Sequence, residues 1–334
     1  MKIYLRACLA TTLVLIGTSS ATASSLESIA GAVGGQSTCS TFGPPARIGS
    51  LFGSIFSIGD VGNGISDCGL QGSMQSLAGA QGPLTSTNSV SATVGGGPYT
   101  GTSSATSNYG TLSAAAHGTN LGVTNTLGFS QSGGFAIFND ELTFTSPTQT
   151  NGSSGSVVYT FTVDAALTTP VPTPPFASQN FAELAIQQGD FVQGHVFNAS
   201  TYATSDGRVL NGPSYPGFTM SLGSVEGSGQ FSSVPLPFVW GAEENLTVGL
   251  ATISMPYTGA TLDSHVNGVL TRIAVYNADG SLNSNFKISA ASGSVYSADG
   301  VSPIPEPQTY ALLLTGLVFV GFIASRRSNF KSST

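Results

Sequence analysis

Successive side chains of a β-strand point to opposite faces of the sheet, and long stretches of this chain keep that period of two. Val157, Tyr159, Phe161 and Val163 alternate with Val158, Thr160 and Thr162. Leu142 and Phe144 alternate with Thr143 and Thr145, and Leu246, Val248 and Leu250 with Thr247, Gly249 and Ala251. Val269, Thr271, Ile273 and Val275 are set against Leu270, Arg272, Ala274 and Tyr276. Such segments are half-buried strands with one apolar and one mostly hydroxylated face. Asn151-Gly152, Asp206-Gly207, Asn211-Gly212-Pro213 and Asp279-Gly280 supply the turns between them. Many short strands with such punctuation predict an all-β fold, a β-sandwich or jelly-roll-like domain over 83–300. The proline run 168–175 cannot be a central strand; in a domain of this size it is a crossover on the outside of one sandwich.

Composition decides whether such a body packs. Charged residues are 7% of the chain, yet apolar residues are 40% and Gly numbers 43 of 334. Low charge therefore does not mean disorder: a core can form, and Ser, Thr, Asn and Gly furnish the wet surface. Between Ser24 and Ser325 four bases (Arg47, Arg208, Arg272, Lys287) face sixteen acids, a net charge of −12. A surface of that sign repels nucleic acid and anionic lipid, which excludes DNA or RNA as a partner.

Residues 24–82 form a Gly/Ser-rich N-terminal segment. Ile48, Leu51, Phe52, Ile55 and Phe56 fall at i, i+3, i+4, i+7 and i+8, an amphipathic stripe weakened by Gly49 and Gly53. It reads either as a partner-binding or membrane-touching helix or as an element packing on the neighbouring domain. Cys39 and Cys68 are an even pair, expected to form a disulfide in an exported chain; no histidine lies near enough to complete a zinc site.

The search for chemistry returns little. His117, His195 and His265 are far apart, and Asp263-Ser264-His265 cannot form a relay from one strand. Nucleophile elbow, zinc-protease helix, phosphate loop and dinucleotide fingerprint are all missing. Asp140-Glu141 and Glu243-Glu244 have the residue types of a glycosidase carboxylate pair, but adjacent acids usually mark a solvated strand end. The turn at Asn277–Ser281 lacks the downstream glutamate of a calcium loop. Trp240, within an apolar run, reads as core or loop anchor rather than a sugar platform. The expectation is a non-enzyme with no catalytic residues, metal or cofactor.

Both ends of the chain carry addresses. Residues 1–23 read as a cleaved signal peptide, with Lys2 and Arg6 ahead of an apolar stretch and Ala21-Thr22-Ala23 as the cleavage site. At the other end, Pro305-Glu306-Pro307 precedes an uncharged run from Tyr310 to Ala324, and Arg326-Arg327 follows. As a helix, the eighteen residues from Gln308 to Ser325 reach ~27 Å, enough to cross a thin bilayer when the arginines snorkel. Tyr310 sits at one interface and the arginines at the other, which places the basic end and the tail 328–334 in the cytoplasm. The prolines keep the approach stiff and extended.

This tripartite order over 301–327 resembles the PEP-CTERM sorting signal of exported bacterial proteins. Thr309-Tyr310-Ala311-Leu312, Gly316-Leu317 and Gly321-Phe322 match it as well. The resemblance implies recognition by an exosortase, a multi-pass membrane protease, transient anchoring in the inner membrane, and release or transfer to the cell surface or exterior, commonly in bacteria that make exopolysaccharide. The expected function is that of an exported surface or extracellular-matrix protein, structural or adhesive. The alternative is a carbohydrate-binding protein acting on exopolysaccharide; a secreted hydrolase ranks third.

Overall fold

The computed structural model describes residues 24–36, 70–94, 97–121, 128–169, 178–203, 209–256 and 259–302. Among them the regular structure is entirely β. The strands are β1 (Ser25–Gln36), β2 (Leu70–Gly79), β3 (Leu84–Val94), β4 (Gly97–Asn108), β5 (Thr111–Asn120), β6 (Gly128–Thr145), β7 (Ser154–Thr168), β8 (Ser178–Gln188) and β9 (Phe191–Ala203). They continue with β10 (Val209–Asn211), β11 (Phe218–Ser221), β12 (Ser224–Ser232), β13 (Leu236–Val239), β14 (Glu243–Met255), β15 (Ala260–Asn277), β16 (Lys287–Ala290), β17 (Val295–Ser297) and β18 (Gly300–Ser302).

All pairings are antiparallel, and two large sheets result. The first runs β10-β9-β8-β14-β6-β1-β2, with β16 beside the far end of β6. The second runs β11-β12-β7-β15-β5-β4-β3, with β13 beside β7; β17 and β18 make a small hairpin. The apolar alternation read from the sequence turns inward: Val157, Tyr159, Phe161 and Val163 of β7 face Leu246, Val248 and Leu250 of β14 and Leu184 of β8 in one core. The two sheets therefore pack face to face as a sandwich.

Three features differ from the sequence reading or refine it. Residues 24–82, set apart by composition, contribute β1 and β2 to the first sheet, so strand pairing begins at Ser25 rather than near 83. The proline run joins β7 in one sheet to β8 in the other, both lining the same core, as a crossover requires. β15 does not keep one strict alternation: its register against β7 shifts between Leu270 and Arg272. That bulge puts Leu270 inside with Ile273 and Val275 and leaves Val269 exposed, the reverse of a plain period of two.

The interior has two textures. Around β7, β8, β9, β12 and β14 it is filled by large side chains, among them a cluster of Phe197, Tyr215, Phe218 and Phe231. Between β1 and β6 on one side and β4 and β5 on the other, the inward residues are mostly Ser, Ala and Gly. The sheets there approach closely: a Cβ on Gly134 would stand 2.2 Å from the Ser104 carbonyl oxygen. Buried serines then reach across the gap, Ser28 to the Ala105 oxygen at 2.7 Å, Ser103 to Gly31 at 3.0 Å, Ser132 to His117 at 2.6 Å and Ser254 to Ala116 at 3.0 Å. Each carbonyl has a second lone pair free after its ladder bond, so these hydroxyls are satisfied without water.

Candidate functional site

The sorting residues Pro305, Glu306 and Pro307, the anchor residues Tyr310, Gly316, Gly321, Arg326 and Arg327, the cleavage residues Ala21 and Ala23, and the cysteines Cys39 and Cys68 lie outside the described residues. Among the described residues no helix is long and apolar enough to cross a membrane.

The histidines are brought together by strand pairing that no sequence spacing reveals. On the outer face of the second sheet His117 of β5 lies opposite Asp263 of β15, with Nδ1 2.5 Å from Oδ1. Two residues on, His265 leans toward Asp164 of β7, Nε2 to Oδ1 3.4 Å. Ser264, between Asp263 and His265, points inward and is buried with Ser254 and Thr252. A Ser-His-Asp relay is thus impossible, because nucleophile and base occupy opposite faces of one strand. Around the two His–Asp pairs lies a shallow trough of about 450 Å³, floored by Ala115, Ala116 and Ala166 and flanked by Thr102, Ser104 and Thr168. Ser89, Thr102, His117, Asp263, Thr168 and Ser224 form one cross-strand row, so this face offers hydroxyls at regular strand spacing.

The four candidate acids separate. Asp140 is fully buried; it accepts hydrogen bonds from the Ser292 backbone N–H at 3.0 Å, the Ser292 hydroxyl at 2.5 Å and the Tyr296 hydroxyl at 2.8 Å. Its task is to tie the 290–296 segment to β6. Burial, aggravated by Asp140, holds the Tyr296 phenol well above its ordinary range. Glu141 faces the other way and shares a hydrogen bond with Glu243, which raises its pKa.

Glu244 lines an open groove of about 470 Å³ with Gln188, Asp190, Phe191, Pro237 and Val239. Desolvation raises the Glu244 carboxyl; the Val239 N–H, donating to Oε1 at 3.2 Å, opposes this, and the charge of Asp190 adds to it. Gln188 is held by the Tyr159 hydroxyl and by the Pro237 carbonyl, at 2.8 and 3.0 Å. Phe191 is 41% exposed, the exposed ring among the described aromatic side chains, whereas Trp240 is buried and anchors the turn before β7. The groove therefore presents an apolar ring beside oxygen acceptors, an arrangement suited to a ligand with one apolar face and one hydroxylated edge. Sequence reasoning missed Phe191: a lone Phe after Gly189-Asp190 carries no signal until the turn is seen to expose it.

Among the described residues no group of three or more His, Cys, Asp or Glu is placed to hold a metal. At the Asn277–Ser281 turn one Asp279 oxygen is taken up locally by the Ser281 N–H and hydroxyl, at 2.9 and 2.6 Å, which lowers its pKa.

No protein-family model matches the chain, and no curated protein matches it. Among solved structures, the Clostridium perfringens NetB toxin in its membrane-inserted form is 10% identical over 60% of this chain and 99% of that one. Its TM-score of 0.13 means that the likeness carries no argument about fold or function.

Proposed function

We propose that this protein is exported to the bacterial surface or extracellular matrix, where its β-sandwich has a structural or adhesive role. In this reading the signal peptide starts export. The C-terminal run holds the chain in the inner membrane in transit, and an exosortase-type protease acts at Pro305-Glu306-Pro307. The observation that carries it is the order of the tail: a proline-bracketed acid, an uncharged run, then two arginines. An antiparallel body surfaced by Ser and Thr rather than by charge is a suitable cargo, since such a face stays wet without Lys or Glu.

The test is fractionation of wild type beside Glu306→Ala, with mass spectrometry of the mature C terminus. Wild type is expected outside the cell, ending upstream of Thr334; the variant stays in the membrane with its tail. Equal distribution of both, in the same form, overturns the reading.

A second reading, a carbohydrate-binding protein acting on exopolysaccharide, is favoured by the groove at Phe191 and Glu244. A sugar ring has an apolar face to lie on the phenyl ring and hydroxyls to donate to Glu244 and Asp190. Most described Phe and Tyr side chains fill the core, so this reading rests on the Phe191 ring.

A further inference from the structure

The groove beside Phe191 is short of hydrogen-bond donors. It lies between the edge of β13 and the β8–β9 turn, where Gly189, at a φ of 53°, lets the chain reverse within two residues. The Gly189 N–H donates to the Asn245 oxygen at 2.8 Å, which ties this turn to β14 and brings Asp190 within reach of the charge of Glu244. The Val239 N–H donates to Glu244 Oε1 at 3.2 Å, and the Gln188 amide to the Pro237 oxygen at 3.0 Å. Pro237 itself has no N–H. Three donors are thus spent within the protein, and no Lys or Arg is among the described residues that line the groove. What remains for a ligand is acceptor oxygen: the exposed Asp190 carboxylate and Glu244 Oε2, which would stand 3.2 Å from a Cβ on Gly189.

We propose that this groove selects amino sugars, taking a hexosamine polymer whose free amines are protonated, with a ring on Phe191 and an ammonium shared by Asp190 and Glu244. The proposal rests on the carbohydrate reading of the same groove and narrows it. An ammonium brings three donors and no acceptor, the complement of what the groove offers. It also relieves the repulsion by which the Asp190 charge raises the Glu244 pKa. A uronate, sulfated or phosphorylated sugar brings acceptors and like charge to a chain that carries −12 between Ser24 and Ser325. A calcium ion asks for six to eight oxygens, and no group of three ligating side chains stands among the described residues. A lysine side chain carries the same cation on a flexible stem that must be ordered and has no flat face for the phenyl ring. A sugar ring holds the amine and an apolar face on one rigid frame, so Phe191 and the two acids are engaged together.

The experiment is calorimetric titration of the full chain at about pH 6.5, below the ordinary range of a primary amine. The probes are a glucosamine tetramer, its N-acetylated counterpart, a galacturonate tetramer and trilysine. The glucosamine tetramer is expected to bind about tenfold tighter than the acetylated one, the worth of a charge-assisted hydrogen bond. Galacturonate should not bind, and trilysine should bind less tightly than the glucosamine tetramer. Asp190→Asn, on an exposed turn, and Glu244→Gln, which keeps an acceptor for Val239, should each remove most of the preference and leave the affinity for the acetylated tetramer. Phe191→Ala should weaken both hexosamine tetramers alike. Equal affinity for the two tetramers, or a preference that survives both acid variants, overturns the proposal while the carbohydrate reading stands. Trilysine binding as tightly as the glucosamine tetramer overturns it in favour of a basic protein segment. Failure of every sugar to bind removes the carbohydrate reading and this proposal with it.

Discussion

Glu183 of β8 is a carboxyl set among apolar neighbours on the outer face of the first sheet, and it makes stability depend on pH in an unusual direction. It stands in register with Ala251 and Asn198, and its side chain is 5% exposed. Its nearest charged partner among the described ion pairs, His195 Nδ1, is 3.8 Å away and itself 65% exposed. Burial pushes the Glu183 pKa from 4.5 up to about 7. Between those values the folded chain binds a proton that the unfolded chain has released. The contribution is therefore fully present below about pH 4.5 and is lost as pH rises through 7. At ~1.4 kcal/mol per pH unit the full displacement is worth about 3 kcal/mol; water reaching the site past His195 brings this to roughly 2. Glu183→Gln keeps the shape and removes the ionisation. Urea unfolding of both proteins, followed by circular dichroism at pH 4.5, 6 and 8, should give nearly equal stabilities at the lowest pH. At pH 8 the Gln variant should be more stable by about 2 kcal/mol. Taking the difference between the two proteins cancels the other titrating groups. Parallel stability profiles for the two would refute the claim that burial of this carboxyl costs stability.

Three further outcomes follow from named contacts. Gly134→Ala forces a methyl group to 2.2 Å from the Ser104 oxygen and should lower stability by about 3 kcal/mol in chemical unfolding, because two sheets must part to admit it. Asp140→Ala strands the Ser292 N–H and hydroxyl and the Tyr296 hydroxyl; a loss of about 3 kcal/mol is expected, with hydrogen exchange rising first in 290–296. Phe191→Ala should abolish retention on an exopolysaccharide affinity matrix without changing the unfolding midpoint; unchanged retention, or none by wild type, removes the carbohydrate-binding reading.

What the sequence determined by itself is local. Alternation at 157–163, 142–145 and 246–251 fixed strand identity and predicted which residues are apolar-facing, because the period of side-chain direction is a property of the extended backbone alone. Gly152 and Gly280 adopt positive φ in the Asn-Gly and Asp-Gly turns read from the sequence. The Leu270–Arg272 bulge was not legible, since it arises from pairing with β7 and no residue in β15 announces it.

The candidate site was less visible still. His117 and Asp263 meet only because β5 and β15 are neighbours, although 146 residues separate them. Asp140 and Glu141, adjacent in sequence, serve a buried anchor and an exposed surface. The apolar outer face of the first sheet was invisible for the same reason. Ala251 belongs by sequence to the hydroxylated side of β14, and only lateral pairing, of Ala251 with Phe135 and of Ile253 with Phe181, makes that side apolar. Strand type follows from the chain's own periodicity. Which strands become neighbours, and therefore which faces are shared, is decided by non-local hydrogen bonding and by the fit of small against large side chains between the sheets.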